Sequence, residues 1–144
     1  MMRGLDKRGQ VSVEYLLVVL VLILILSIIT IPLIGESIDS SNDVSDASDA
    51  KVATDTLANA ADVVYANGPG AKRTVSFYIP QNGALKFANS TVSLSLVYSN
   101  GTNSSINSST QYNLGNNTTT VSSGWHNAQV LWTIGNSYIT VSIT

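Results

Sequence analysis

The chain has 144 residues, no cysteine and a formal net charge of −2 at pH 7. This length suits one domain of ordinary size, and the absence of cysteine excludes disulfides and thiolate metal sites. The charge is uneven: residues 1–9 carry +2, residues 36–62 hold seven of the nine acidic residues, and Lys86 is the only charged side chain after residue 73. No basic patch results, so we expect no nucleic-acid binding.

A long apolar run, residues 11–34, follows the basic N-terminus and reads VSVEYLLVVLVLILILSIITIPLI. As a helix these residues rise about 36 Å, enough to cross a hydrocarbon core of about 30 Å. Apolar residues surround the helix on all sides, which predicts insertion into a membrane. Because basic residues precede the run and Glu36 and Asp39 follow it, we expect a cytoplasmic N-terminus and an exported chain after Gly35.

Two residues within the apolar run need a physical explanation. Pro32 cannot donate its amide and crowds the preceding turn, so it is predicted to kink the helix or end it, with a simple helix stop near Gly35 as the alternative. Glu14 places a carboxylate in the membrane-spanning segment, which is costly unless the group is paired or protonated. Either Glu14 lies shallow enough to reach the headgroups, or it has a dedicated partner.

The start of the run carries a recognisable motif. No small-x-small cleavage site follows the run, so the chain either keeps its apolar helix or is cut before it. The string KRGQVSVEYLLVV resembles the class III signal peptides of archaeal type IV pilins, in which a short basic leader ends in Gly and the mature chain begins with a Gln-x-Ser-x-Glu-Tyr motif. The resemblance implies a leader at residues 1–9 and cleavage between Gly9 and Gln10. It implies a role in assembly and register for the matching residues, which are Gln10, Ser12, Glu14 and Tyr15.

The resemblance also implies an α+β fold, in which a transmembrane or filament-core helix at residues 10–35 precedes a small, mainly antiparallel β domain. In the filament, Glu14 of one copy would pair with the new Gln10 amine of its neighbour. The implied partners are further copies of the chain, a prepilin peptidase, and a pilus assembly ATPase with its membrane platform. The implied location is the cytoplasmic membrane before assembly and the extracellular filament afterwards.

Residues 36–66 show the pattern of an acidic amphipathic helix. Apolar residues recur at spacings of three and four, at Ala50, Ala53, Leu57, Ala60, Ala61 and Val64. An acidic face, expected to be solvated and not to bind calcium, contains Glu36, Asp39, Asp43, Asp46 and Asp49. The stretch IDSSNDVSDASD favours a break between two helices or a flexible joint, and Asn67-Gly68-Pro69-Gly70 predicts the end of the helix.

Residues 67–144 are predicted to form an extracellular β domain. Residues 74–79 and 91–98 alternate apolar and polar side chains, and a turn leads into a short strand at residues 85–87. These patterns are typical of strands with one buried face.

The C-terminal residues predict a β-hairpin. Residues 128–134 and 137–143 flank Gly135-Asn136, a two-residue hairpin signal. In the last strand the inward set is either Tyr138 or its alternates Ile139, Val141 and Ile143, and the latter three fit better.

A Ser/Thr/Asn-rich tract at residues 99–123 has few residues to bury, so we expect a mobile long loop or an irregular edge there. The tract concentrates Asn-x-Ser/Thr triplets, the acceptor sites for N-glycosylation in exported proteins. The full set in the chain is Asn89, Asn100, Asn103, Asn107, Asn116 and Asn117. We expect glycosylation of at least one of these asparagines in the native protein.

No group of residues in the sequence is suited to catalysis. His126 is the only histidine and has no nearby carboxylate, so neither a catalytic triad nor a zinc site is predicted. We expect His126 at the surface or at an edge and Trp132 in the core. For Trp125, an exposed role in adhesion or glycan contact is an alternative. The sequence therefore predicts no enzyme, no cofactor and no metal site.

Together these features predict the structural subunit of an archaeal type IV pilus, a major pilin that polymerises through its N-terminal helix for surface adhesion. Two alternatives stay open. One is a minor pilin or tip adhesin that recognises a surface or a glycan. The other is a single-pass membrane protein whose leader is never cut.

The leader assignment predicts cleavage between Gly9 and Gln10. Gly9→Val, or deletion of the prepilin peptidase, should leave a precursor that is heavier by the nine leader residues. Intact-protein mass spectrometry of the membrane fraction measures this difference. Unchanged processing in either strain would show that the leader is wrongly assigned.

Overall fold

The computed structural model describes the backbone of residues 7–144 and the side chains of residues 11–144. The predicted leader residues 1–6 lie outside this description, as do the side chains of residues 7–10. Within the described part, the chain forms one helix and five strands. Two compact units divide it, residues 1–40 and residues 41–144, and each is considered by itself.

The helix α1 (Lys7–Asn67) includes both the apolar run and the acidic segment. It continues through Pro32 and Gly35, so the predicted helix stop near Gly35 is wrong, while a kink at Pro32 stays a prediction. Residues 38–49 are helical too, so no break between two helices occurs there. The helix ends beside Gly68, whose φ of 86° only glycine adopts without strain, as the breaker sequence predicts.

The strands form two antiparallel sheets. The three-stranded sheet has the order β1–β4–β5 and consists of β1 (Lys72–Ile79), β4 (Gly124–Leu131) and β5 (Thr140–Ile143). The two-stranded sheet pairs β2 (Gly83–Val97) with β3 (Asn103–Val121). A long α-helix followed by antiparallel sheets is the α+β architecture that the sequence predicts, and the alternating strands at residues 74–79 and 91–98 are confirmed within β1 and β2.

The prediction of a long loop at residues 99–123 is wrong, because β3 occupies most of this tract. The alternative of an edge is nearer, since β2 is the only strand that pairs with β3 in a sheet, and on its other side the backbone of β3 bonds to other backbone groups only at Ile139 among the described residues. Its inward side chains are partly polar: Ser108 and Thr110 are buried beside α1, where the hydroxyl of Ser108 has helix partners. Polar side chains at buried positions interrupt the alternation of apolar and polar residues by which a strand is predicted from sequence.

The prediction of a two-residue hairpin at Gly135-Asn136 is also wrong, although β4 and β5 do pair. The ladder between β1 and β4 extends to Trp132, whose carbonyl accepts the Gly70 amide (2.7 Å). The indole of Trp132 then donates to the Asn136 carbonyl (2.8 Å), and the chain reaches β5 only after bonding to β3 through Ile139. These long-range bonds replace the tight turn.

The β2–β3 ribbon bends sharply at Asn89. Register shifts lie on both sides of Asn89, whose φ of 51° is in the left-handed region. The bend brings the start of β2 against its own end: the Ser95 hydroxyl accepts the Ala84 amide (2.8 Å), and a Cβ on Gly83 would overlap the Ser95 carbonyl oxygen. Only glycine permits so close an approach.

The core lies in the unit of residues 41–144, between the second half of α1 and the inner faces of the two sheets. The helix contributes small residues, with Leu57 and Val64 as its larger members. The strands contribute the bulk, including Phe87, Ile79 and Leu94, all at most 1% exposed. The predicted inward residues Ile139 and Val141 are buried as well, whereas Tyr138 is turned outward.

Polar side chains of α1 tie it to the β2–β3 ribbon, which the sequence does not reveal. Asp43 accepts both the amide (2.9 Å) and the hydroxyl (2.6 Å) of Ser99, so it is not the simply solvated residue of the predicted acidic face. Asp62 accepts the Gln111 amide (2.7 Å). We call these two aspartates, together with the Lys51–Asp55 pair, the helix–ribbon contacts.

The Lys51–Asp55 pair completes these contacts. Lys51 Nζ donates to Asp55 (2.8 Å), to the Asn107 carbonyl (3.0 Å) and to Ser108 Oγ (2.9 Å). Ser108 Oγ in turn lies 2.6 Å from Asp55 Oδ1. Two hydrogen bonds lower the pKa of the Asp55 carboxyl below its ordinary value, and the one from Lys51 has a larger effect than the one from Ser108.

A lowered pKa means that the Asp55 charge stabilises the fold above the ordinary carboxyl pKa of about 3.9, and that this contribution is lost as pH falls through the lower value in the folded state. Asp55→Asn should therefore lower the midpoint of thermal unfolding at pH 7 by a few degrees, since the pair is half exposed and worth about 1 kcal/mol at most. The deficit relative to the unmodified chain should shrink below about pH 3.9.

Circular dichroism melts of the full chain in detergent, at pH 7 and pH 3, measure this. Asp49→Asn is the matched control, because Asp49 is exposed and makes no side-chain hydrogen bond in the part of the chain that the structure describes. A deficit for Asp55→Asn that is independent of pH would contradict the assignment.

Candidate processing and assembly segment

The first half of α1 presents apolar side chains to its surroundings on every side. From Val11 to Ile34 the large aliphatic side chains, with Val19 as the exception, are 47% to 72% exposed. Covering one such side chain is worth about 1.5 to 3 kcal/mol, so the segment as a whole is strongly driven out of water. By length and composition the helix is able to cross a membrane.

Glu14 is the single charged residue between Val11 and Gly35. Ser12, Glu14 and Tyr15 are exposed on α1, so the three described members of the predicted assembly motif all lie at the surface of the helix. The backbone is helical at residues 7–10 as well, which places positions 10 and 14 one turn apart on the same face. The side chain of Gln10 lies outside the described residues.

Two serine hydroxyls of α1, one inside the apolar segment and one just after it, donate to backbone carbonyls of the helix itself. Ser27 donates to the Ile23 carbonyl (2.8 Å), and Ser37 donates to the Leu33 carbonyl (2.9 Å) just beyond Pro32. Bonds of this kind remove the cost of placing a hydroxyl in an apolar environment. The Glu14 carboxylate cannot be satisfied by the helix in the same way. A carboxylate only accepts hydrogen bonds, and the backbone amides around it already donate to helix carbonyls.

Sequence reasoning missed the apolar residues that continue along the outer surface of α1. Ile38, Val44, Val52 and Val63 are all exposed, although they lie beyond the membrane-spanning length. The sequence contains the information needed to find them, because these apolar residues stand outside the predicted inward stripe of the helix and therefore have to lie on its exposed side. They extend the exposed apolar surface of α1 past Gly35.

The six predicted glycosylation sites share one location. All six asparagines are exposed, and all belong to β2, β3 or the turn between them. Asn117 Nδ2 lies 3.4 Å from Thr119 Oγ1, the hydroxyl of its own acceptor triplet. The Asn100 carbonyl oxygen instead accepts the Thr102 amide (2.8 Å), which leaves its amide nitrogen outward.

The aromatic residues and the histidine fall as follows. Trp132 is 9% exposed and stacks in a cluster with Tyr65 and Tyr112, so the prediction that it lies in the core is confirmed. Trp125 is 75% exposed and leans on Tyr78, with ring centroids 5.7 Å apart. His126 is partly exposed on β4, 2.8 Å from the Ser122 carbonyl, and within residues 11–144 no cluster of side chains suits a metal ion.

Residues 7–33 match the family model described as Class III signal peptide. The matched range begins two residues before Gly9 and ends at Leu33, so it covers the proposed cleavage position and nearly all of the apolar run. No curated protein and no solved structure matches the chain at a significant level. The match and the apolar helix support a type IV pilin-like prepilin, a structural kind of protein.

The exposure of the six asparagines generates a prediction about the native protein. Its intact mass should exceed the mass of the sequence by discrete glycan increments, and these should map to peptides of residues 83–121, where every acceptor triplet lies. Replacing all six asparagines by Gln should remove the increments. An unmodified mass for the chain isolated from its native cells would refute the prediction.

Proposed function

We propose that the chain is the major subunit of an archaeal type IV pilus, an extracellular filament that serves surface adhesion. The observation that carries the proposal is the exposed apolar half of α1 with a class III cleavage motif at its start. A segment that is apolar on all sides needs complete covering, and lipid provides it before assembly. In a filament, the same segments from neighbouring copies would cover one another.

Removal of the leader acts as the switch between the two environments. Residues 1–9 carry a net charge of +2, which holds the end of the helix at the cytoplasmic face of the membrane. Cleavage before Gln10 removes this anchor and creates an α-amino group. A prepilin peptidase performs the cut, and an assembly ATPase with its membrane platform supplies the work of drawing the helix out of lipid.

Glu14 supplies register in this proposal. A helical rise of 1.5 Å per residue puts Glu14 about 6 Å along the axis from Gln10, so a neighbour displaced axially by about one turn brings its Gln10 amine level with this carboxylate. Two charges leave water together at considerable cost, yet either charge alone in the same place would cost more. The pair therefore favours one axial offset over all others.

The exposed valines beyond the membrane-spanning length offer a further surface for packing between copies. Val44, Val52 and Val63 form an interrupted strip of exposed apolar side chains along α1, with the neutral Ser48 and Thr56 one turn to either side of Val52 and carboxylates such as Asp49 at its border. In a filament such a strip offers each copy a second packing surface. A protein that only anchors itself in a membrane has no use for it.

A second candidate function is that of a minor pilin or tip adhesin, and the exposed Trp125–Tyr78 pair favours it. Quantitative mass spectrometry of sheared surface filaments separates the two. Abundant peptides that begin at Gln10 support the major subunit, whereas trace amounts support the minor one. A chain found only in membranes and still carrying residues 1–9 would instead be an uncleaved single-pass protein.

The pairing of Glu14 predicts that assembly and insertion respond differently to one substitution. Glu14→Gln removes a costly charge, so membrane insertion and leader cleavage should be unchanged or improved. In the filament, the same change leaves the Gln10 amine unpaired in an apolar core, a loss that typically amounts to about 3 to 5 kcal/mol. We expect a stable, cleaved, membrane-resident subunit and few filaments, as counted by electron microscopy beside membrane-fraction blots.

Glu36→Gln is the matched control, since Glu36 is an exposed carboxylate on the same helix just past the apolar segment. It should leave filament numbers unchanged. Normal numbers of filaments from the Glu14→Gln strain would end the pairing hypothesis and favour a carboxylate that reaches the headgroups.

A further inference from the structure

The bend of the β2–β3 ribbon borders a surface pocket of about 450 Å³. Its lining combines three asparagines, a glycine, a serine and a tyrosine, together with Leu114, whose side chain is buried: the others are Asn89, Asn113, Asn116, Gly115, Ser137 and Tyr138. The first three of these and Gly115 belong to the two strands, as does Leu114, and the segment that leads into β5 contributes the last two. This volume lies within the range of small-molecule sites, about 300 to 1,000 Å³.

Two uncommon backbone features shape this pocket. Asn89 has a φ of 51°, a left-handed conformation that non-glycine residues rarely adopt, and its amide is held by Asn116 Oδ1 at 3.3 Å. Gly115 lies against the Tyr138 ring so closely that a Cβ would stand 2.9 Å from the ring carbon Cδ2. The absence of a side chain at Gly115 therefore fixes where the ring of Tyr138 lies.

The pocket also presents hydrogen-bonding groups that have no partner in the described part of the chain. The side-chain Oδ1 of Asn113 accepts the Ser90 hydroxyl (3.4 Å), and the side-chain Oδ1 of Asn116 accepts the Asn89 backbone amide. The Nδ2 groups of both residues, and the whole side-chain amide of Asn89, stay available to a ligand. The tyrosine ring beside them is 42% exposed.

The chemistry of this lining selects among ligand classes. No lining residue carries a formal charge, so an ionic ligand would lose its hydration without gaining a counter-charge. A purely apolar ligand would cover three side-chain amides without bonding them, which is also unfavourable. A neutral sugar satisfies both conditions, because its hydroxyls pair with amides and one face of its ring exposes C–H groups that pack on an aromatic ring.

We propose that this pocket binds a neutral saccharide, with Tyr138 as the stacking surface and the three asparagines as hydrogen-bonding partners. The proposal goes beyond assembly into a filament and holds whether or not the chain polymerises. The saccharide has two possible sources, a glycan of this chain or of another copy, and a glycan of an external surface. Asn89 and Asn116 are themselves acceptor sites, so modification there would fill the pocket.

The test uses the full chain, produced in a host without N-glycosylation and kept in a detergent whose headgroup is not a sugar. Saturation-transfer NMR with glucose, galactose, mannose and N-acetylglucosamine measures binding, and glucuronate serves as the charged comparison. At least one neutral sugar should bind saturably, and glucuronate should bind more weakly than glucose. Tyr138→Ala should weaken the affinity about tenfold or more.

Gly115→Ala is the second variant, because the added methyl displaces the ring while it keeps the tyrosine, and it should weaken binding as well. The matched control is Asn103→Ala, which removes an exposed asparagine of β3 outside the pocket lining and should leave the affinity unchanged. Far-UV circular dichroism establishes whether each variant is folded. If the Tyr138 variant does not fold, the affinity of the Gly115 variant tests the proposal alone.

Three results would overturn the proposal: no binding of any neutral sugar, equal binding by the unsubstituted chain and both pocket variants, or loss of binding in the Asn103 variant alone. Repeating the measurement on glycosylated native material then identifies the source of the saccharide. Binding of added sugar to the native protein supports an external ligand. If added sugar binds to the chain that lacks glycans but not to the glycosylated native protein, the pocket is occupied by the protein's own glycan.

Discussion

The requirement to cover the apolar half of α1 governs the rest of the molecule. Nearly every large side chain from Val11 to Ile34 is exposed, and no polar face is left for water. Lipid or other protein chains are the surroundings that would cover such a segment, and the core of the protein lies instead within residues 41–144. The second half of α1 contributes small residues to this core, chiefly Ala50, Ala53 and Ala61, so that the sheets approach closely.

The part of the fold that could be predicted is the part encoded by local patterns. The apolar run, the alternating side chains of β1 and the Gly-Pro breaker each express a preference within a few residues, and the structure follows them. The strand β3 escaped prediction because Ser108 and Thr110 occupy buried positions. Burial of Ser108 is tolerable because its hydroxyl meets Thr54 and Asp55, more than 50 residues away in sequence, while the Thr110 hydroxyl donates to the Tyr112 carbonyl.

The candidate sites differ in the same way, because one is encoded by a local motif and the other is formed by contacts between distant residues. The cleavage motif is local and could be identified from Lys7-Arg8-Gly9-Gln10 and the run that follows it. The pocket depends on a bulge at Asn89, on the close approach of Tyr138 to Gly115, and on a bond between β3 and Ile139. None of these is written in one stretch of sequence, and the Gly135-Asn136 pair even indicates a competing hairpin that tertiary bonds override.

The helix–ribbon contacts explain how so simple a composition can form an ordered strand. Three of them reach the backbone of the ribbon: Asp43 binds the Ser99 amide, Lys51 binds the Asn107 carbonyl, and Asp62 binds the Gln111 amide. Backbone groups are the same whichever side chain a residue carries, so these bonds hold β3 while its outward positions remain unconstrained. The outward face is then free to consist of Ser, Thr and Asn, which require no burial. It follows that the outward face of this ribbon can carry glycan acceptors and a neutral binding pocket without a loss of core stability, because its buried apolar side chains and the helix–ribbon contacts keep it in place.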